Sequence, residues 1–218
     1  MKPKDFFDQE FTAARLAEIF TNRVSHTSTI GKDGVHPAAF AEVLEMETNR
    51  IAQRVQNNSY VFTAFKQKLI LKGAKKHPRE ISIATVRDRV TLRALTNVLM
   101  TVFSDARLPA AHYVIEEVID FIRPLSDEYA FIQIDIRDFY PSVLHAELLR
   151  RLRTRVRHKP FLDLAMNAVR TPTSEGKQSE PSLLGIPQGL SVSNVLSSIY
   201  MMKCKRLADS VGAEVPGH

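Results

Sequence analysis

Two segments constrain this chain more than any bulk property does. Tyr129 to Arg137 reads as a strand in which Ile132, Ile134 and Ile136 share one face, because side chains alternate along extended backbone, so Asp135 is expected on the opposite face. A rigid element of that kind can present a carboxylate to a cleft. Downstream, Gly185-Ile186-Pro187-Gln188-Gly189 sets two glycines around a fixed proline and an amide able both to donate and to accept hydrogen bonds. Taken singly, Asp135 is an exposed acid on an edge strand and the turn is a helix entry capped by Ser191. Taken in this order, they define a site.

The rest of the chain frames that site. With 218 residues, 44% hydrophobic and 25% charged, it can bury a sizeable core as one large domain or two small ones. A formal charge of +6 is consistent with a polyanionic partner. One cysteine, Cys204, cannot form an internal disulfide, and no apolar run approaches membrane-spanning length, so a cytoplasmic, reducing setting is expected.

Helical spacing of Phe7, Phe11, Leu16, Ile19 and Phe20 predicts a helix over 4–22. Pro37 stands at the first position of a second helix, which runs through Phe40, Leu44, Ile51 and Val55 to residue 56. Residues 60–71 and 81–83 flank Lys72 to Pro78 and read as a hairpin with a basic tip. Thr85 and Asp88 resemble a capping box at the head of a helix reaching Phe103, and another helix over 110–122 ends before Pro124. After the Asp135 strand, Ser142 is expected to cap a helix carrying Leu148, Leu149 and Leu152. A short helix over 160–169, a polar loop over 171–182 and a helix over 191–207 complete the chain. His77 has no partner at ligand spacing and is expected at the surface.

The run Ile134-Asp135-Ile136-Arg137-Asp138-Phe139-Tyr140-Pro141-Ser142, followed by Gly185 to Asn194, resembles motifs A and B of the reverse transcriptase palm. Gly31-Lys32-Asp33-Gly34-Val35 before Pro37 is similar to the fingers entry of bacterial group II intron, retron and related enzymes, and Lys75 to Val90 is similar to their basic hairpin and Arg-Asp-Arg helix start. Asp135 to Ser142 and Leu190 to Asn194 resemble retron and phage-defence enzymes most.

This resemblance implies an α/β (α+β) chain, helix-rich, with a right-hand fingers-palm architecture and an incomplete palm sheet. Residues 1–28 would be an N-terminal helical extension, 29–125 the fingers with the first palm helix, and 126–218 a partial palm. The implied activity is RNA-directed DNA polymerase, a nucleotidyltransferase using two Mg²⁺ ions, with Mn²⁺ as a substitute. The implied partners are an RNA template, a DNA or RNA primer, deoxynucleoside triphosphates, and a noncoding RNA or a protein chain supplying the rest of palm and thumb. No membrane is implied.

By the same resemblance, Asp135 would be the catalytic ligand of both metals and the Ile136 carbonyl would bind the triphosphate-side ion. Backbone around Asp138 and Phe139 would face the triphosphate, and Tyr140 would lie under the sugar as a steric gate. Arg79, with Lys72, Lys75 or Lys76, would clamp the phosphates. Gln188 and Gly189 would approach the nascent base pair. The basic run holding Arg150, Arg151, Arg153, Arg155 and Arg157 is a candidate grip on nucleic-acid phosphates.

No aromatic-x-Asp-Asp sequence occurs in the 218 residues, and in that family it supplies the remaining metal-binding carboxylates. The isolated chain is therefore expected not to polymerise. A rival of a different class is a non-catalytic nucleic-acid-binding or scaffolding module with the same fold. An RNA-dependent RNA polymerase fits less well, because its motif B usually offers Ser-Gly and a downstream Thr where this chain has Pro-Gln-Gly.

Overall fold

The computed structural model describes residues 1–71, 73, 78–107, 111–124, 136–174 and 181–212, with side chains excluded at 111 and 203–212. Asp135 and most of the strand expected around it, Lys72, Lys75, Lys76 and His77 lie outside the described residues, as does the side chain of Cys204.

The N-terminal segment divides at Thr12, and does not run as one helix. Thr12 adopts extended backbone and its hydroxyl accepts the Arg15 N–H at 3.4 Å, ending α1 (Pro3–Glu10) and capping α2 (Ala13–Ile19), which continues into a wide turn over Phe20–Val24. The break lets Phe7 and Phe11 turn inward together, with ring centroids 4.7 Å apart, and lets Phe7 stack on Phe161 at 5.2 Å. The helix expected over 37–56 is likewise two, α3 (Pro37–Glu42) and α4 (Leu44–Gln56), with Val43 leaving helical geometry between them. That bend seats Phe40 on Phe20 while Ile51 and Val55 remain in the core.

A three-stranded sheet follows. β1 (Phe65–Ile70) pairs antiparallel with β2 (Arg79–Ile83), Lys66 opposite Ile83 and Ile70 opposite Arg79. Its other edge pairs in parallel with β3 (Thr173–Ser174), placing a short strand inside the segment expected to be a polar loop.

The central helix is α5 (Val86–Val102), with Val90, Leu95 and Leu99 fully buried. Thr85 accepts the Asp88 N–H at 3.1 Å as expected of a cap. Asp88 does not complete a capping box. Its carboxylate accepts the Tyr60 hydroxyl at 2.7 Å and the Thr63 N–H at 3.0 Å, and the Tyr60 oxygen in turn accepts from Thr91 at 2.9 Å. Burial pushes the Asp88 carboxyl up from its usual value, opposed by the hydroxyls of Tyr60 and Thr85. This closed network pins the entry to β1 onto α5.

α6 (Ala111–Ile122) exposes Tyr113, Ile115 and Phe121. The short α7 (Phe139–Ser142) precedes α8 (His145–Leu152) and α9 (Lys159–Arg170). Ser142 ends α7, its hydroxyl donating to the Phe139 carbonyl, and α8 begins after Leu144, so Ser142 is not the cap of that helix. α10 (Ser193–Gly212) starts at Ser193 and not at Ser191, with Val195, Leu196 and Ile199 buried. Among the described residues, no helix is long and apolar enough to cross a membrane.

The buried Tyr60 hydroxyl serves two partners, so Tyr60→Phe should lower unfolding free energy by about 1–3 kcal/mol in urea titrations. Unchanged stability would show that the Asp88 network does not hold β1 to α5.

Candidate nucleotide and nucleic-acid site

The Gly185–Gly189 turn is joined to the chain on two sides. At its first end, Gly185 has φ +86, and a Cβ there would stand 3.1 Å from the Pro141 Cα and from the carbonyl oxygens of Pro141 and Tyr140. This closeness lets the Gly185 N–H donate to Val143 and the Ile186 N–H donate to Tyr140, both at 2.8 Å. The buried His145 adds a ring nitrogen 2.8 Å from the Gly185 carbonyl, and Leu144 bridges Leu184. At its other end, Gly189 has φ +96, and a Cβ would meet the Ile81 side chain at 2.6 Å and the Ser82 carbonyl at 3.2 Å. The Ser82 N–H donates to the Gln188 carbonyl at 2.7 Å. One five-residue turn thus locks β2 to the turn that leads into α8.

This joint brings several predicted residues together. Tyr140, Gln188 and Gly189 stand around it, and Arg79 begins the strand on which it docks, exposed and opposite Ile70. Asp138 occupies the left-handed region at φ +49 and pairs loosely with Arg137 at 3.4 Å, both largely in solvent. Phe139 and Tyr140 then turn inward, with rings edge-on at 5.6 Å. Ile136 is half exposed beside them. The Ile136 carbonyl and the Asp138 carboxylate are hard oxygen donors of the type Mg²⁺ takes. Among the described residues, no group of three His, Cys, Asp or Glu side chains converges to hold an ion.

The arginine run is largely committed to the fold. Arg150 grips Glu147 through two nitrogens at 2.7 Å, and Arg151 Nε lies 2.6 Å from the same carboxylate. Arg155 makes a bidentate pair with Asp105 at 2.7 Å, donates to the Val102 carbonyl at 3.0 Å and lies 5.1 Å over the Phe103 ring. Arg153 and Arg157 are exposed. The expectation of a five-arginine grip overlooked the spacing: Glu147 lies three and four residues before Arg150 and Arg151, which puts all three on one helix face. The Arg150 hydrogen bond, aided by the Arg151 charge, lowers the Glu147 carboxyl from 4.5 to about 2.

A second basic site was not singled out from the sequence. A cavity of about 400 Å³ opens where the Phe20–Val24 turn, the hairpin, α5 and the Gly185–Gly189 turn meet. Arg23, Lys68, Arg89 and Arg93 line it, together with Ile81 and Gly189, and no acid is among its described lining residues. Arg89 donates to the Thr27 hydroxyl at 2.6 Å and to the Thr29 carbonyl, leaving its Nε buried without a hydrogen-bond partner. Burial lowers the Arg93 guanidinium from its usual value, and the neighbouring Arg23 charge lowers it further. Like charges gathered in a partly desolvated cavity favour an anionic guest. The sequence did hold a signal, since Arg89 and Arg93 are a like-charge pair at i,i+4, a spacing that works against the helix unless something else uses it.

Comparison with known proteins identifies the framework. Residues 67–211, well over half of the chain, match the family described as reverse transcriptase (RNA-dependent DNA polymerase). The chain belongs to that family. It is 23% identical over 171 residues to a putative COX1/OXI3 intron 1 protein of Saccharomyces cerevisiae, covering 72% of this chain and 19% of that one. An uncharacterized 91 kDa protein in a cob intron of Schizosaccharomyces pombe is 22% identical over 172 residues, covering 76% and 21%. The chain thus spans about a fifth of the length of these curated relatives. Among solved structures, the partial Cas6-RT-Cas1--Cas2 complex shares the fold with a TM-score of 0.51 at 15% identity, over 94% of this chain and 35% of that chain.

The Gly185–Gly189 turn and the Asp138–Tyr140 turn both lie within the matched residues, at the positions whose sequence resembles motif B and the end of motif A. Because Gly189 combines a left-handed φ with a Cβ-excluding neighbour, Gly189→Ala should cost about 1–3 kcal/mol of stability by urea unfolding. A loss below the precision of the titration would mean that the turn does not bear on β2 as described.

Glu147 offers a second check. Its folded-state carboxyl is depressed, so its stabilising contribution is present above the ordinary value of 4.5 and disappears as pH falls toward 2. Carboxyl NMR titration should find its midpoint near 2. A midpoint near 4.5 would leave Arg150 and Arg151 available for other partners.

Proposed function

We propose that this chain is the fingers-palm region of an RNA-directed DNA polymerase that transfers nucleotides by a two-metal mechanism, with Asp135 as the shared metal ligand and Ile136 contributing its carbonyl. The observation that carries the reading is the joint at motif B. A turn docked at once on β2, the hairpin strand that starts at Arg79, and on Tyr140 supports a single nucleotide-binding face made from distant segments. On that face Arg79, with Lys72, Lys75 or Lys76, clamps the triphosphate, the Asp138–Phe139 backbone faces it, Tyr140 lies under the sugar, and Gln188 and Gly189 approach the new base pair. Magnesium, when bound, supplies activation of the primer hydroxyl and neutralisation of the leaving phosphate.

The template is assigned to the basic cavity in preference to the Arg150–Arg157 run. The cavity adjoins Gly189 and Ile81, holds four cations without an acid among its described lining residues, and is of a size suited to a nucleotide. Arg150, Arg151 and Arg155 already have carboxylate partners, while Arg153 and Arg157 remain as outer contacts. The domain plan follows: an N-terminal extension over 1–28, fingers over 29–125 and partial palm over 126–218, with Arg23 of the extension reaching the template. The intron-encoded relatives and the Cas-associated structural neighbour support a setting with a noncoding RNA or protein partner, antiviral defence included.

Primer extension on the polypeptide in which this chain naturally occurs tests the proposal. Labelled deoxynucleotide incorporation on an RNA template with Mg²⁺ should vanish in Asp135→Ala. Arg79→Ala should raise the nucleotide KM by about ten- to a hundredfold, as loss of a charge-assisted contact does. Arg93→Gln should weaken template affinity and flatten its salt dependence, because one fewer counterion is released. Substantial synthesis by Asp135→Ala would overturn the metal assignment, and unchanged RNA affinity in Arg93→Gln would remove the template from the cavity.

A further inference from the structure

Tyr140 is tied down at both ends. Its carbonyl accepts the Ile186 N–H at 2.8 Å, and its hydroxyl donates to Asn194 Oδ1 at 2.9 Å. Between those anchors the ring is half-buried and lies edge-on to Phe139.

The other side of this contact is equally set. Asn194 belongs to the first turn of α10, just after the motif B turn. Its backbone carbonyl accepts the hydroxyls of Ser197 at 2.8 Å and Ser198 at 2.9 Å. Immediately before it, Ser193 donates its hydroxyl to the Pro187 carbonyl, and the Leu196 N–H donates to Val192 at 3.1 Å. The helix start is therefore fixed to the same turn that holds the Tyr140 backbone. Asn194 itself is exposed, so its amide would be hydrated if it did not take the phenol.

We infer that Asn194 is a positioning residue for substrate selection: by accepting the Tyr140 hydroxyl it fixes the ring that faces the nucleotide sugar. The inference rests on the proposal that Tyr140 lies under the sugar. A tyrosine has two rotatable side-chain bonds, and a ring anchored only through its backbone can pivot about them. A ring held also at its tip offers a wall at a set distance, and sub-ångström placement of that wall decides whether a 2′-hydroxyl fits. The phenolic oxygen thus has a job that phenylalanine could not do here, and an acceptor at position 194 is its counterpart.

A double-mutant cycle tests this in the naturally occurring polypeptide. The readout is the ratio of dGTP to GTP incorporation opposite a template cytosine, for the parent, Tyr140→Phe, Asn194→Leu and the double variant. Each single change should lower the ratio by about two- to tenfold, in line with one hydrogen bond, and the double variant should fall no further. Asn194→Asp, which keeps the acceptor, should retain the parental ratio. Two results overturn the inference while leaving the sugar site standing: an unchanged ratio in Asn194→Leu when Tyr140→Ala collapses it, or losses that add in the double variant. If Tyr140→Ala itself leaves the ratio unchanged, or if the parent incorporates neither nucleotide, the sugar-site reading fails and the role of Asn194 fails with it.

Discussion

The absence of two β-carbons shapes this structure more than any side-chain contact. At Gly185 and Gly189 the backbone takes left-handed conformations, and at both the space a side chain would need is already filled, by Pro141 and Tyr140 at one end and by Ile81 and Ser82 at the other. Only with both positions bare can one turn make four backbone-level contacts, those to Tyr140, Val143, His145 and Ser82. The geometry of the site depends on this. The hairpin would otherwise be held to the rest of the chain mainly through β3 and the Ser82–Thr173 hydroxyl pair, and the Asp138–Tyr140 turn would stand apart from it. The Tyr60–Asp88–Thr91 network plays the complementary role below, since it fixes the chain entering β1 to the core helix and so gives the hairpin a rigid base.

Charge is distributed on the same plan. The densest basic stretch in the sequence faces its own acids, Glu147 and Asp105, and holds α8 and the turn after α5 together. A second group of cations, Arg23, Lys68, Arg89 and Arg93, is gathered from three segments far apart in sequence and meets beside the Gly185–Gly189 turn. Partial burial makes such a gathering unfavourable on its own and favourable with phosphate in place.

Much of this was legible in the sequence, for reasons that differ by element. The Gly185–Gly189 turn was readable because glycine and proline restrict backbone directly, so the local pattern and the local geometry are nearly the same statement. The hairpin was readable from apolar and aromatic runs around a basic Gly-Pro turn, and α5 from its Thr85 cap and helical spacing. The breaks at Thr12 and Val43 were not, because apolar spacing continues across them and the interruption is decided by how Phe7, Phe11 and Phe40 pack with partners distant in sequence. β3 was hidden for the same reason, being two residues long and made a strand only by the edge of β1. Arginine density in 150–157 drew attention away from the spacing to Glu147, and the basic cavity showed in the sequence only as the Arg89–Arg93 pair, because its cations come from three separate segments.

The central claim is that motif B docks on the fingers hairpin to make one face, with template entering beside it through the basic cavity. Photo-crosslinking of a thiouridine-substituted RNA template annealed to a primer, with the attachment sites located by peptide mass spectrometry, tests that claim directly. The account predicts crosslinks in peptides spanning Ile81 to Arg93 and Gln188 to Ser191. Crosslinks confined to Arg150 to Arg157, with none at the cavity, would contradict it.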